Sequence, residues 1–276
     1  MDEFYRGWRR PGPVPPGGVA VEEGETLDYL CGWYRIFQYA KGHRYSTDDV
    51  LTAWYGTSHA PRVDRAADLG SGIGSVALIS AWRLPGARFC TVEAQEISLR
   101  LARKSVRYNG LESRFTLHQG DLRDASILAN EEPFDLVTGS PPYWPEGTAS
   151  KATHEQAVPA RIEVRGSVVD YARAASRILA PGGVFAFVFP TIQMERVFEG
   201  LDEAELKLIR RRDVIFKEGE PPLITLFAAT RARDLPVTYG AFVEPPLTIR
   251  RKDGGVPDEY SAVRMSFGFP PGNVPA

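Results

Sequence analysis

The stretch Asp68-Leu69-Gly70-Ser71-Gly72-Ile73-Gly74 constrains this chain more than any other segment. It closes the strand-like run Arg65-Ala66-Ala67-Asp68-Leu69 and opens a small-residue helix expected from Ser75 to Trp82. A strand that turns through glycines into a helix is where backbone comes closest to a ligand, because glycine tolerates the left-handed conformations of a tight turn. The spacing here is GxGxG, with Ser75 where a dinucleotide fingerprint needs its third glycine. No Walker-type phosphate loop occurs either. Asp68, two residues before the first glycine, would repel a pyrophosphate. It suits a cationic amino group.

The following chain alternates strand and helix. Strands are expected at Phe89 to Val92, Phe115 to His118 and Phe134 to Thr138, with an amphipathic helix from Ile97 to Tyr108 stopped by Asn109-Gly110. A helix from about Val168 to Leu179 ends at Pro181-Gly182-Gly183, and Val184 to Phe189 is a fully apolar strand. Val214-Phe216 and Leu223-Ala229 flank a Gly/Pro turn, so this closing pair should be antiparallel. Apolar strands separated by helices indicate βαβ units around a buried parallel sheet.

Acids recur at successive strand ends. Glu93, followed by Ala94, is placed to accept ribose hydroxyls, and Asp121, followed by Leu122, to accept an adenine amino group. Taken singly, each is a solvated acid at a strand-end turn. Three in order, beside Gly70, Ser71, Gly72 and Gly74, point to S-adenosylmethionine, whose ammonium lies alongside a sulfonium.

The fourth strand runs into Ser140-Pro141-Pro142-Tyr143-Trp144. Two adjacent prolines stiffen the backbone and remove two N–H donors, leaving local carbonyls unopposed. An exocyclic aromatic amine is a poor nucleophile because its lone pair is delocalised. Accepting its N–H groups on the Ser140 hydroxyl and the Pro141 carbonyl would draw the nitrogen toward tetrahedral geometry, while Tyr143 stacks on the base. The bland alternative is a rigid turn packed on the core.

Composition sets outer limits. Hydrophobic content of 43% and charged content of 25% are those of a soluble globular protein. No apolar run approaches the roughly 20 residues that span a bilayer, and the N-terminus lacks a secretory pattern. Cys31 and Cys90 form no CxxC pair and read as reduced thiols, so a cytoplasmic location is expected. His43, His59, His118 and His154 are scattered, and no metal site is expected. A net charge of -2 does not advertise nucleic acid, so an RNA partner would need local basic patches. Candidates are Arg6, Arg9 and Arg10; Arg103, Lys104 and Arg107; Arg210 to Arg212; and Arg250 to Lys252.

The expected organisation is a flexible Pro/Gly/Arg arm over residues 1–23, an N-terminal extension over 24–60, a catalytic domain over 61–232 and a C-terminal extension over 233–276. Thr148 to Gly166 is expected to form a lid or an ordinary surface loop.

With these motifs in place, the chain resembles the bacterial valine-tRNA adenine-N6 methyltransferases, within the class I methyltransferases that carry an Asn/Asp/Ser-Pro-Pro-Tyr/Phe motif. The likeness runs from about Glu25 to Arg231. It includes Arg44-Tyr45-Ser46-Thr47-Asp48, Asp68 to Gly72, Val92-Glu93-Ala94-Gln95, Gly120-Asp121-Leu122-Arg123, Pro141-Pro142-Tyr143 and Thr153-His154-Glu155. The resemblance implies an α/β, Rossmann-like fold with a seven-stranded, mostly parallel sheet, an antiparallel last strand and helices on both faces. It places Tyr45 to Asp48, including Thr47, near the cofactor, and Tyr143 on a tRNA adenine. Two positions depart from the pattern. Ser140 stands where the family has Asn, as in cytosine-N4 enzymes, and Glu218 and Glu220 occupy a segment that is usually more basic. Cytosine N4, a protein glutamine amide, a small-molecule amine and a silent cofactor-binding scaffold are the competing expectations.

Overall fold

The computed structural model describes residues 3–5, 7–60, 62–145, 147 and 162–272. Arg6, His154 and the expected lid, apart from residues 162–166, lie outside these described residues. Two hairpins open the chain: β1 (Phe4–Tyr5) with β2 (Trp8–Arg9), and β3 (Glu25–Cys31) with β4 (Tyr34–Tyr39). Helix α1 (Thr47–His59) follows, then β5 (Arg65–Leu69), α2 (Ser75–Arg83), β6 (Arg88–Glu93), α3 (Glu96–Tyr108), β7 (Phe115–Gln119) and β8 (Phe134–Gly139). The remainder is α4 (Val168–Ile178), β9 (Leu179–Pro190), α5 (Met194–Glu203), β10 (Leu206–Ile215), β11 (Ile224–Arg231), β12 (Phe242–Thr248) and α6 (Asp258–Met265).

The central sheet has the order β12-β10-β11-β9-β8-β5-β6-β7. Strands β5 to β9 pair in parallel, and β11 runs antiparallel to both β9 and β10. The mostly parallel α/β architecture with an inverted closing strand is therefore present, but among the described residues the sheet has eight strands rather than seven. The eighth, Phe-Val-Glu-Pro-Pro-Leu-Thr, joins β10 in parallel across an irregular register. Its two prolines mask it as a strand in the sequence, and they are tolerated because it lies at the sheet edge.

Period-two alternation sends side chains to two cores. Ala66, Phe89, Leu136 and Ala186 pack with α1, α2 and α3, whereas Ala67, Leu69, Val137, Phe185 and Phe187 pack under α4 and α5. Helices thus cover both faces, the arrangement a buried parallel sheet requires. Helix α1 also packs with Val184, Val188 and Leu226, so the segment expected to be an extension supplies one layer of the fold.

The first 23 residues carry no periodic pattern because what holds them is distant in sequence. Trp33 Nε1 donates to the Arg10 carbonyl at 3.0 Å, Gly17 N–H donates to the Tyr108 carbonyl at 3.0 Å, and Glu22 pairs with Arg100 and Lys104. Within the stretch expected to be a flexible arm, the run from Arg10 to Glu22 is laid along the body. The β3–β4 hairpin is fastened similarly: Arg35 N–H donates to Asn109 Oδ1 at 2.9 Å, and Asn109 Nδ2 returns a bond to the Arg35 carbonyl at 2.8 Å.

Candidate active site

Strands β5, β6, β7 and β8 all end on one edge of the sheet, so the loops after them lie side by side and enclose a cleft of about 620 Å³. The glycine turn forms its floor. Gly70, Gly72 and Gly74 have φ of 61°, 56° and 83°, the left-handed region open to glycine. A Cβ on Gly70 would overlap the Tyr171 hydroxyl of α4, which packs directly beneath the turn.

Asp68 sits in register with Thr138 on the neighbouring strand, and the Thr138 hydroxyl donates to its Oδ1 at 2.8 Å. Among the described residues its other oxygen is buried without a hydrogen-bond partner, as is the Ser71 hydroxyl. Burial, with the Asp49 and Glu93 carboxylates nearby, pushes the Asp68 carboxyl up to about 7. Glu93 accepts the Gly72 N–H at 2.8 Å and the Gln95 N–H at 2.6 Å, which ties the second strand end to the glycine turn. Burial raises its carboxyl as well. Asp121 also lines the cleft, where the Arg123 guanidinium holds its carboxyl low.

The opposite wall comes from the N-terminus of α1 and the segment after β8. Ser46 caps α1 in a reciprocal box with Asp49, and Asp49 Oδ1 also accepts the Ser75 hydroxyl at 2.9 Å. Asp48 points across the cleft and accepts the Tyr143 hydroxyl at 2.6 Å. Burial raises the Asp48 carboxyl, and burial together with Asp48 raises the Tyr143 phenol. Tyr143 is held at two further points. Its ring meets Phe189 edge-on at 5.9 Å, and its carbonyl accepts Gln193 Nε2 at 2.7 Å. Gln193 is in turn bonded by Arg196, which pairs with Glu163 at 2.6 Å.

Of the residues expected from sequence, Asp68, Gly70, Ser71, Gly72, Glu93, Ala94, Asp121, Leu122, Ser140, Pro141, Pro142 and Tyr143 line this one cleft. Three do not. Tyr45 turns inward, its hydroxyl donating to the Tyr29 carbonyl at 2.8 Å, and Thr47 faces Tyr260. Successive residues in a helix's first turn diverge by about 100°, so Ser46, Asp48 and Asp49 take the cleft side instead. Gly74 lies behind the turn, where a Cβ would meet Ala102 of α3. Asp49, Tyr171 and Arg165 also line the cleft and were not singled out from sequence. Tyr171 reads as one more member of an apolar helix face. For Asp49, the capping pattern Ser46-Thr47-Asp48-Asp49 was the available signal.

The basic patches are sorted by their partners. Arg103 pairs with Glu96, and Lys104 with Glu22 and Glu25. Arg210 and Arg212 pair with Glu244, Arg212 also with Glu259, and Arg211 with Asp213. Arg9 pairs with Glu3, and the arm packs by Gly12 against Trp82, at the end of α2 remote from the cleft. Cys90, His118 and Glu131 bring ligand-type atoms within 4.8 Å of one another, but Glu131 is already paired with Arg65 at 2.6 Å. Among the described residues, no helix is long and apolar enough to cross a membrane.

Comparison with known proteins bears on this geometry. The family model described as the methyltransferase small domain matches residues 57–199. A tRNA1(Val) (adenine(37)-N6)-methyltransferase of Porphyromonas gingivalis is 30% identical over 53% of this chain and 58% of its own length, so the match takes in little more than half of that relative. A protein of the same name from Aeromonas hydrophila is 28% identical over 80% of this chain and 88% of its own. Among solved structures, a protein described as a predicted O-methyltransferase of Agrobacterium tumefaciens superposes with a TM-score of 0.60 at 18% identity, covering 81% of this chain and 98% of that one. That likeness is one of fold.

Proposed function

Because this chain belongs to the methyltransferase small domain family, we propose that it moves a methyl group from S-adenosylmethionine to the exocyclic amino nitrogen of a nucleic-acid base, adenine N6 in tRNA. The observation that carries the reading is the shared cleft: an acid-lined glycine turn and the Ser140–Tyr143 tip face the same cavity.

The residues fit the cofactor by their chemistry. Asp68 offers a buried carboxylate oxygen that has no hydrogen-bond partner among the described residues, and such an oxygen is matched by a ligand cation. Glu93 and Asp121 stand at the next two strand ends, where ribose and adenine groups would be accepted. When bound, S-adenosylmethionine supplies a methyl group on a positively charged sulfur, activated toward nucleophilic attack. The protein's own contribution is positioning. The Ser140 hydroxyl and the Pro141 carbonyl accept the amine's N–H groups and aim its lone pair. Tyr143, held by Asp48, Phe189 and Gln193, presents a fixed ring face for the base. No strong base is needed before transfer, since the aromatic amine is already neutral. The S–C bond would break as the N–C bond forms, leaving a neutral thioether, and the methylated nitrogen would then shed one proton to solvent.

The test is incubation with labelled cofactor and separated RNA, DNA and protein fractions, followed by nucleoside mass spectrometry. Label in N6-methyladenine of tRNA is the expected outcome. Label only in N4-methylcytosine, in protein or in a small amine would replace the acceptor. Binding of cofactor without transfer to any fraction would leave a scaffold.

A further inference from the structure

We propose that the sheet rim running from Trp144 to Lys252 holds the RNA strand on one side of the target base. This rests on the methyltransferase reading above and says where that reading's substrate lies.

Strand order and polarity build the rim. β8, β9, β10 and β12 end on the cleft edge of the sheet, and the antiparallel β11 begins there. Moving outward from the tip, the chain presents Trp144 after β8, Ile192 after β9, Leu223 before β11, Lys217 after β10, and Arg250 and Lys252 after β12. Four inter-strand steps span about 19 Å, a distance covered by a few nucleotides. Trp144, Ile192 and Leu223 are 44%, 87% and 61% exposed, an unusual run of bare apolar side chains beside a cleft. Hydrogen bonds make the run continuous. Gln193, next to Ile192, bonds the Tyr143 carbonyl, and Thr191 N–H donates to the Leu223 carbonyl at 3.1 Å.

The outer end is cationic. Among the described residues no carboxylate comes within ion-pair distance of Lys217, Arg250 or Lys252, whereas Arg103, Lys104 and Arg210 to Arg212 are paired with acids. Glu218 accepts the Lys252 main-chain N–H at 3.1 Å, and its own N–H donates to the Arg250 carbonyl at 2.8 Å, so the two turns are stitched into one surface. Glu218, Glu220 and Asp253 on the same two turns offset most of the charge of Lys217, Arg250, Arg251 and Lys252, so the apolar steps carry the larger share of the work. Flat or apolar side chains near the cleft stack and cover bases, and cations farther out meet phosphates, the pattern that holds a single strand. A chain with net charge of -2 can hold RNA this way, because the attraction is local.

The experiment measures binding and single-turnover methylation of an unmodified valine tRNA transcript. The variants are Lys217→Ala/Arg250→Ala/Lys252→Ala, Ile192→Ala/Leu223→Ala, Trp144→Ala and, as a contrast on the remote arm, Arg9→Ala/Arg10→Ala. The charge variant should lower the slope of log affinity against log salt by about 2, at roughly 0.7 per phosphate contact on a single strand. It should keep the wild-type rate at saturating RNA and the wild-type cofactor affinity. Trp144→Ala should weaken RNA binding about tenfold through lost stacking, Ile192→Ala/Leu223→Ala should weaken it several-fold, and the arm variant should bind as wild type. Wild-type affinity and slope in all the rim variants, or a loss confined to the arm variant, would overturn the rim while leaving the methyltransferase reading intact. A wild-type protein that methylates no RNA fails the earlier reading, and the rim with it.

Discussion

Cofactor affinity should fall steeply in mild acid because of Asp68. Its carboxyl is buried, bonded through one oxygen to Thr138, and pushed up to about 7 in the ligand-free protein. A cationic amino group binds the ionised form. Apparent affinity therefore scales with the ionised fraction, and it should be about 15-fold weaker at pH 5.5 than at pH 7, where the ligand's amine is still mostly cationic, or roughly 1.6 kcal/mol at 1.36 kcal/mol per unit. Calorimetry at pH 6.5 in buffers of different ionisation enthalpy should detect release of about 0.8 proton per cofactor bound. The ligand-free fold carries the opposite dependence. The native carboxyl holds a proton that the unfolded chain, near 3.8, gives up. This group therefore adds stability as pH falls through 7 toward 4, with a ceiling of about 4 kcal/mol. Asp68→Asn should bind cofactor weakly at every pH and flatten both profiles. Equal wild-type affinity at pH 5.5 and 7, or an Asp68→Asn variant that keeps the wild-type slope, would refute the assignment of Asp68 as the partner of the ligand's cation.

Three further outcomes follow from the same geometry. Asp48→Ala and Tyr143→Phe break one hydrogen bond from its two ends, so their losses in single-turnover rate should overlap, with a coupling of about 1–3 kcal/mol in the double variant; strictly additive losses would mean the pair does not act as a unit. Gly70→Ala forces a Cβ into the Tyr171 hydroxyl at a φ of 61° and should cost about 2–3 kcal/mol in urea unfolding, partly recovered by adding Tyr171→Phe. An unchanged midpoint would contradict the turn geometry. Asn109→Ala removes both bonds that fasten Arg35 to α3 and should destabilise by about 2–3 kcal/mol, with faster amide exchange across Glu25–Tyr39. Exchange confined to α3 would show that the hairpin is held by other means.

Local chemistry is legible in a sequence, and this chain carried much of it on its surface. A glycine turn between a strand and a helix, acids at successive strand ends and a proline-stiffened tip each declare themselves within a few residues. So does the alternation of strand and helix, because periods of 2 and 3.6 are properties of a short segment. From these alone came the parallel sheet, the acid-lined pocket and the acceptor tip, and the fold brings those two sets of residues to one cleft.

What the tertiary structure decided were the quantities that depend on a distant partner. The Pro-rich segment Phe242–Thr248 became an eighth strand because an edge of β10 was available to it. Asn109 looked like a helix stop, yet its side chain bonds the backbone of a hairpin 74 positions away in sequence. Most arginine clusters that resembled phosphate sites met acids from other elements, whereas among the described residues the side chains of Arg250 and Lys252 on the cleft rim form no ion pair. Asp68 was always an aspartate; only burial, working against the lowering effect of the Thr138 hydrogen bond, makes it a group that titrates near neutrality. Propensity and periodicity are written along the chain, whereas desolvation and pairing exist only once remote segments have met.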